Sequence, residues 1–350
     1  MTRSPQLRAA LIAILAAVAG ALAPIPGAPA RAQDRSDANP TGRDPRIDAQ
    51  ALFRAVVRVD ARAVPNARSA ATLGRERQGT GILIGADGLI VTIGYLIVEV
   101  DQVSITDHRG RTLPATVVGY DHATGFGLVR SIVPLDAEPI PFGNADRLGE
   151  REPVMIASHT GANDVTFAWV VSRRPFSGNW EYMLDSALWT SPPTMNWSGA
   201  SLIDREGRLL GIGSLIVRDA TGEEPRLPGN LFVPIDALKP ILAELVAEGR
   251  RKGPPRPWLG VAADEVQGRL VVSRVSPGGP AETAGLEVGD IILGVSGEAV
   301  RTQGDFYRKL WSGRSAGADV SLRILQGADV RELSVKSIDR VDYFRPRTTY

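Results

Sequence analysis

The chain has 350 residues, enough for two or three domains. Forty basic residues against 39 acidic ones give a formal net charge of +1, which offers no electrostatic case for a nucleic-acid partner. Hydrophobic residues make up 43% and charged residues 23%, so a packed globular protein is expected rather than a disordered one; with no cysteine, no disulfide or thioether lipid anchor can form.

The chain opens on a targeting pattern. Arg3 and Arg8 precede the apolar run AALIAILAAVAGALAPI, and ARA stands just before Gln33. A basic start, an apolar centre and a small-x-small end predict a cleaved signal peptide over 1–32. The run is short for a membrane span and Pro24 and Pro26 break it, so no membrane anchor is expected after cleavage. The polar, Pro- and Gly-containing stretch 33–48 predicts a flexible leader.

From 49 to about 235 the chain alternates short apolar runs with Gly, Asp, Asn and Pro. GTGILIG, GLIVTIG, LPATVVGYD, PVMIAS, TFAWVVSR and RLLGIGSLIV are examples, and this rhythm predicts an all-β barrel or sandwich. PIDALKPILAELVAEGRRKG breaks it: Ile241, Leu242, Leu245 and Val246 recur at helical spacing. Asp236 is the expected N-cap, with basic residues at the far end and Gly253 just past it. GPPRP then supplies a stiff joint, giving a first domain over 49–250, a linker over 251–257 and a second domain over 258–340. In that second domain WLGVAADEV and GRLVVSRV read as strands. SPGGPAETAGL reads as a turn and short helix, VGDIILGVSGEAV as strand-turn-strand, TQGDFYRKLWSG as an amphipathic helix and ADVSLRILQGADVRELSVK as a hairpin.

The order of these motifs resembles the periplasmic HtrA-type (Deg-type) serine proteases. QGTGILIGADGLIVT is similar to the strand pair before that family's catalytic His, and GYDHATGFGLVR to the segment that holds its Asp. NWSGASLIDREGRLLGIGS is similar to the nucleophile loop, and LFVPIDALKPILAELVAEGRRKGPPRPWLGV to the junction between barrel and PDZ domain. The resemblance covers about residues 50–340. It implies an all-β-dominated chain, a chymotrypsin-like double β-barrel followed by a C-terminal PDZ domain with two short helices. It also implies trimers formed through the barrel, either of this chain alone or mixed with active relatives.

The family's chemistry carries over only in part. Its nucleophile falls on Ser198, but its base falls on Tyr95 and its orienting Asp on Gly125. A serine hydroxyl attacks only when a neighbour takes its proton, and His does so because its pKa of about 6.5 lets it accept and return a proton near neutrality. Tyrosine, at about 10, is a poor base there, and glycine has no side chain to orient anything. The oxyanion position two residues before the nucleophile, usually Gly in the family, is Asn196, and Trp197 is a bulky departure beside it. The other histidines are His108, His122 and His159; His122 and His159 are the alternative bases for a serine endopeptidase built on Ser198. No metal-ligand spacing and no cofactor motif is present, so neither a metal nor a cofactor is expected.

The PDZ half keeps its motifs. WLGV, residues 258–261, matches the loop whose backbone N–H groups hold a peptide's terminal carboxylate while the peptide adds a strand alongside. Gly260 permits the close approach, and Trp258, Leu259, Val261 and Phe306 are the expected peptide-binding residues. The resemblance therefore implies a periplasmic pseudoprotease whose partners are C-terminal or unfolded segments of envelope proteins.

Overall fold

The computed structural model describes residues 49–149, 151–161 and 164–344; the expected signal peptide and leader lie outside these residues. A short helix, α1 (Ala49–Arg54), leads into six strands, with a one-turn helix α2 (Ala70–Leu73) between the first two: β1 (Val56–Ala63), β2 (Glu76–Leu83), β3 (Leu89–Ile93), β4 (Val100–Thr106), β5 (Thr112–Tyr120) and β6 (Phe126–Ser131). They close as an antiparallel barrel in the order β1-β2-β3-β6-β5-β4. Six more close a second barrel in the order β10-β11-β12-β9-β8-β7: β7 (Pro153–Ala157), β8 (Thr166–Gly178), β9 (Tyr182–Ser191), β10 (Ser201–Ile203), β11 (Leu209–Val217) and β12 (Gly229–Pro234). Closure removes the exposed edges that open sheets must otherwise protect.

The central strands are apolar because both faces are covered. All five residues of β3 and all six of β12 are buried. One core cluster runs from the first barrel into the second, joining Val59, Ile90 and Phe126 to Trp189, Ile212 and Val233. A separate cluster around Leu188, Leu202 and Phe232 fills the second barrel. The catalytic positions of this fold class lie along the seam between barrels, so the shared cluster fixes their spacing.

The helix after the barrels is shorter than its sequence pattern. It runs as α3 (Leu242–Glu248), preceded by a separate 3₁₀ turn over Ile235–Ala237. Asp236 is not its N-cap. The Asp236 carboxylate instead accepts from the Ala145 N–H at 2.6 Å and from Lys239 Nζ at 2.6 Å. Pro240 disfavours helical backbone at Lys239, so the α-helix starts only beyond it. Gly249, at φ 73°, ends the helix, with its N–H on the Leu245 carbonyl; Gly253 lies four residues later.

The C-terminal domain is a sheet in the order β13-β14-β15-β17-β18, comprising β13 (Val261–Val266), β14 (Arg269–Val275), β15 (Ile291–Val295), β17 (Asp319–Gln326) and β18 (Asp329–Lys336). The short β16 (Glu298–Ala299) pairs with β15. Helices α4 (Pro280–Thr283) and α5 (Gln303–Trp311) flank the sheet, and α6 (Arg340–Phe344) follows it. Thr302 caps α5 by accepting from the Asp305 N–H at 3.2 Å. Phe306, Tyr307 and Leu310 are its buried face.

Phe126 sits fully buried in the cluster shared by the barrels. Phe126→Ala is expected to lower stability by about 3–5 kcal/mol, read as a lowered denaturant midpoint of the full chain.

Candidate functional site

The strand β3 ends in a 3₁₀ turn, Gly94–Leu96, that aims Tyr95 into the seam between barrels. Gly94 is required there: a Cβ would fall 1.8 Å from the Tyr120 ring. Arg77, buried on β2, holds the turn from behind. Its guanidinium donates to the carbonyls of Tyr95 at 3.0 Å and Val98 at 2.6 Å.

Ser198 arrives from the loop between β9 and β10. Asn230 anchors that loop by accepting from the Thr194 N–H at 2.7 Å and donating to the Thr194 carbonyl at 3.1 Å. The turn at 197–200 is closed by the Ala200 N–H on the Trp197 carbonyl at 3.1 Å. It is clamped to the first barrel by the Thr80 N–H on the Ser198 carbonyl at 2.8 Å. Gly199 adopts φ 74°, and a Cβ there would lie 2.1 Å from the Thr80 carbonyl oxygen. Backbone of this shape is the feature that presents a nucleophile.

Tyr95 and Ser198 meet. The phenolic oxygen is 3.0 Å from Ser198 Oγ and 3.1 Å from the Ser214 carbonyl oxygen. The single phenolic proton serves one of them at a time. When it goes to the carbonyl, which can only accept, the Ser198 hydroxyl donates to Tyr95. Burial pushes the Tyr95 pKa up to about 12, against the hydrogen bonds from Ser198 and Trp197. At neutral pH the group is therefore a phenol, and it cannot take the serine proton.

The position expected for Asp carries no acid. Gly125 has φ 83°, and its carbonyl accepts from the Gly94 N–H at 2.7 Å. The hydroxyl of Tyr182, on β9, occupies the space beside it and donates to the Thr124 carbonyl at 2.6 Å. A Cβ on Gly125 would stand 3.0 Å from that hydroxyl. Asp121, four residues earlier, turns away to cap its own loop: its carboxylate accepts from Thr124 N–H and Oγ1 and from Arg251 Nη2.

The oxyanion position is engaged as well. Asn196 is not among the described non-glycine residues with positive φ. Its N–H points to Thr194 Oγ1 at 3.3 Å, and its side-chain amide donates to the Asp164 carboxylate. Trp197, half-buried, supplies its carbonyl to the turn. The alternative bases lie elsewhere. His159 Nδ1 is 3.0 Å from Thr80 Oγ1, and that same oxygen accepts the His159 backbone N–H at 3.1 Å. Burial, then Arg58, lowers the His159 pKa, so the ring is neutral and its Nδ1 is satisfied by Thr80 rather than Ser198. His122 packs edge-on against Tyr120 with centroids 4.2 Å apart, and burial holds it well below the usual imidazole range.

Trp258, Leu259, Gly260, Val261 and Phe306 come together in the PDZ domain, all buried. Trp258 exchanges backbone hydrogen bonds with Ile338 at 3.0 and 3.1 Å, and its ring lies 4.5 Å from that of Tyr343. Gly260, at φ 85°, leaves no room for a side chain between Ser276 and the Trp258 ring. The loop amides converge on one acceptor that sequence reasoning missed, Glu181 at the turn between β8 and β9. Its carboxylate accepts from the N–H groups of Leu259 at 3.0 Å, Gly260 at 2.6 Å and Val261 at 2.8 Å. Tyr307 accepts the Glu181 N–H at 3.1 Å and donates to the Gly178 carbonyl at 2.8 Å. Burial pushes the Glu181 pKa up to about 7, against the three N–H bonds and Arg340. No local sequence signal marks this residue, because its partners lie about 80 positions downstream.

Two outcomes follow from this geometry. The double change Tyr95→His/Gly125→Asp is expected to stay inactive on unfolded protein and to destabilise the chain by at least about 1 kcal/mol, because an Asp at φ 83° also meets the Tyr182 hydroxyl. Protease assays and denaturant titration check this; restored cleavage without a change at Tyr182 would contradict it. The second concerns pH. A carboxyl whose pKa is raised by docking binds its proton more tightly when docked, so docking is strongest below the ordinary glutamate range and weakens as pH rises through about 7. Arg340 and Arg256 line the same cavity as Glu181, and Asp264 and the Tyr307 hydroxyl sit near it. Protection of the Leu259–Val261 amides is expected to fall between pH 6 and 8 in the native chain and to lose that dependence in Glu181→Gln.

Comparison with known proteins agrees with this architecture. The trypsin-like peptidase domain pattern matches residues 79–212, and the PDZ domain pattern matches residues 257–337. The chain is 28% identical over 232 residues to serine endoprotease DegS of Haemophilus influenzae, covering 61% of this chain and 64% of that protein. It is 27% identical over 250 residues to a probable periplasmic serine endoprotease, DegP-like, of Marinomonas sp., covering 66% and 50%. The chain thus spans about half to two thirds of the length of these curated relatives. Among solved structures, HtrA-type protease AlgW with decapeptide superposes with a TM-score of 0.50 at 18% identity, over 85% of this chain and 98% of that one. With paired barrels, a following PDZ domain and DegS- and DegP-like relatives, the chain belongs to the HtrA/Deg-type family.

Proposed function

We propose that this chain is an exported pseudoprotease: an HtrA-like shell that binds C-terminal or unfolded peptide segments in the cell envelope without cleaving them. The observation that carries the reading is the neutral phenol of Tyr95 hydrogen-bonded to Ser198 where the family places its base. A nucleophile beside a group that stays protonated is not activated. Tyr182 filling the Asp position and the engaged Asn196 N–H both support the same reading. The periplasmic address follows the names of relatives together with the signal-like start of the sequence. Assembly into trimers, of this chain or with active relatives, belongs to the same proposal.

A second reading keeps Ser198 as the nucleophile of a slow endopeptidase. It is favoured by the Gly199 turn, which still presents the hydroxyl, and by His159 one residue contact away through Thr80. The two separate in one experiment, in which the purified chain and its Ser198→Ala variant are incubated with casein and with a fluorophosphonate serine reagent. Neither cleavage nor labelling above the Ser198→Ala background is expected. Cleavage or labelling that Ser198→Ala abolishes would sink the pseudoprotease reading.

A further inference from the structure

We propose that the PDZ groove of this chain already holds an internal ligand, the turn between β8 and β9, with the Glu181 side-chain carboxylate seated where a peptide's terminal carboxylate would sit. The inference rests on the reading of the groove as a peptide site and adds its resident occupant. A free C-terminus is therefore a competitor that must displace Glu181.

Four independent contacts seat the turn. All three amides of the carboxylate loop, those of Leu259, Gly260 and Val261, are spent on Glu181. A peptide carboxylate has the same planar pair of oxygens and needs the same donors. Tyr307, on α5, grips the turn through both Glu181 N–H and the Gly178 carbonyl. Asn179 Nδ2 reaches Asp264 Oδ1 on β13 at 3.1 Å. Met183 packs its side chain against the PDZ core. The turn thus touches the carboxylate loop, the β13 strand and the α5 helix, which are the three walls of a PDZ groove.

The backbone of the turn is shaped for this seat. Glu181 adopts φ 56°, a left-handed conformation that costs a side-chain-bearing residue energy and persists only where surrounding contacts impose it. Its side chain is nevertheless only 5% exposed. A glutamate at a β-turn normally points into water; here it is held in left-handed backbone and turned inward to meet three donors.

The seat differs from strand addition in one respect. Among the described residues strand β13 pairs only with β14, and the turn adds no ladder along its other edge. That edge is instead pinned to α5: Gln303 Nε2 donates to the Ala263 carbonyl at 2.6 Å, and the Gln303 N–H donates to Glu265 at 2.8 Å. An incoming peptide strand has to replace the Gln303–Ala263 bond as well as Glu181. The occupant of the closed state is a carboxylate on a turn. The occupant of the open state is a chain terminus with a strand behind it.

The test uses the full chain, Glu181→Ala and Glu181→Asp. Hydrogen exchange reads the loop amides directly. Fluorescence anisotropy reads binding of a labelled pool of octapeptides with four randomised C-terminal residues, made with free-acid and with amidated ends. In Glu181→Ala, which removes the acceptor altogether, the Leu259–Val261 amides are expected to exchange at least tenfold faster than in the native chain, and the free-acid pool to bind at least tenfold more tightly. The amidated pool should show no such gain. Glu181→Asp, which keeps the charge on a shorter arm, should fall between. Amides equally protected in all three proteins would overturn the internal ligand by itself. Freed amides with equal pool affinity for native and variant chains would overturn the competition. Freed amides with no free-acid binding by any of the proteins would overturn the peptide-site reading, and the proposal with it.

Discussion

A carboxylate buried away from water is tolerated only when other groups replace the solvent it has lost. Glu181 meets that condition through three backbone N–H groups of the 259–261 loop, and those groups belong to a different domain. The constraint is mutual. The amides of Leu259, Gly260 and Val261 all donate to the Glu181 carboxylate, which they in turn satisfy. Satisfying both fixes the β8–β9 turn against β13 and α5 and joins the barrel and PDZ segments among the described residues. Tyr307 extends the arrangement by bridging the two sides of the turn with one hydroxyl.

The residue after Glu181 serves the first barrel. Tyr182 leaves the turn in the opposite direction and places its hydroxyl on Thr124, beside Gly125. A turn residue and the first residue of β9 thus contribute to the PDZ loop and to the space beside Gly125, because the left-handed backbone at Glu181 lies outside the strand that Tyr182 begins. The positions the family resemblance compares with a triad carry neutral groups. Tyr95, Tyr182 and Ser198 exchange hydroxyl hydrogen bonds with each other or with backbone carbonyls, and no ionised group remains among them. A neutral network of this kind is compatible with the shared core of the barrels, whereas an isolated charge in the same place would require a partner.

The local backbone around Ser198 is held by glycines that tolerate no side chain. Gly94, Gly125 and Gly199 each sit where a Cβ would collide with neighbouring atoms. Gly94 and Gly199 are part of the scaffold that aims the base and the nucleophile. Gly125 is different: the Tyr182 hydroxyl lies in the space a side chain there would take. A His at 95 and an Asp at 125 would therefore also need room made at Tyr182.

Much of this was legible in the sequence. Alternating apolar runs with turn residues specify strands locally, and four ordered motifs plus WLGV were enough to give the fold class, a trypsin-like double barrel followed by a PDZ domain, and to single out Tyr95, Gly125 and Ser198 as the positions to compare. The helix near 242 was legible in kind but not in extent, because the pattern of apolar spacing does not register the break that Pro240 imposes. What the sequence could not disclose was anything settled by contacts between distant segments. It placed Tyr95 at the base position without showing that its hydroxyl lies on Ser198 and the Ser214 carbonyl, 103 and 119 residues away. It gave no sign that Tyr182 fills the acid's place or that Glu181 fills the PDZ loop. Local sequence determines which backbone shapes a segment can adopt; which side chain occupies the space those shapes leave is decided only when the barrels and the PDZ domain close on each other.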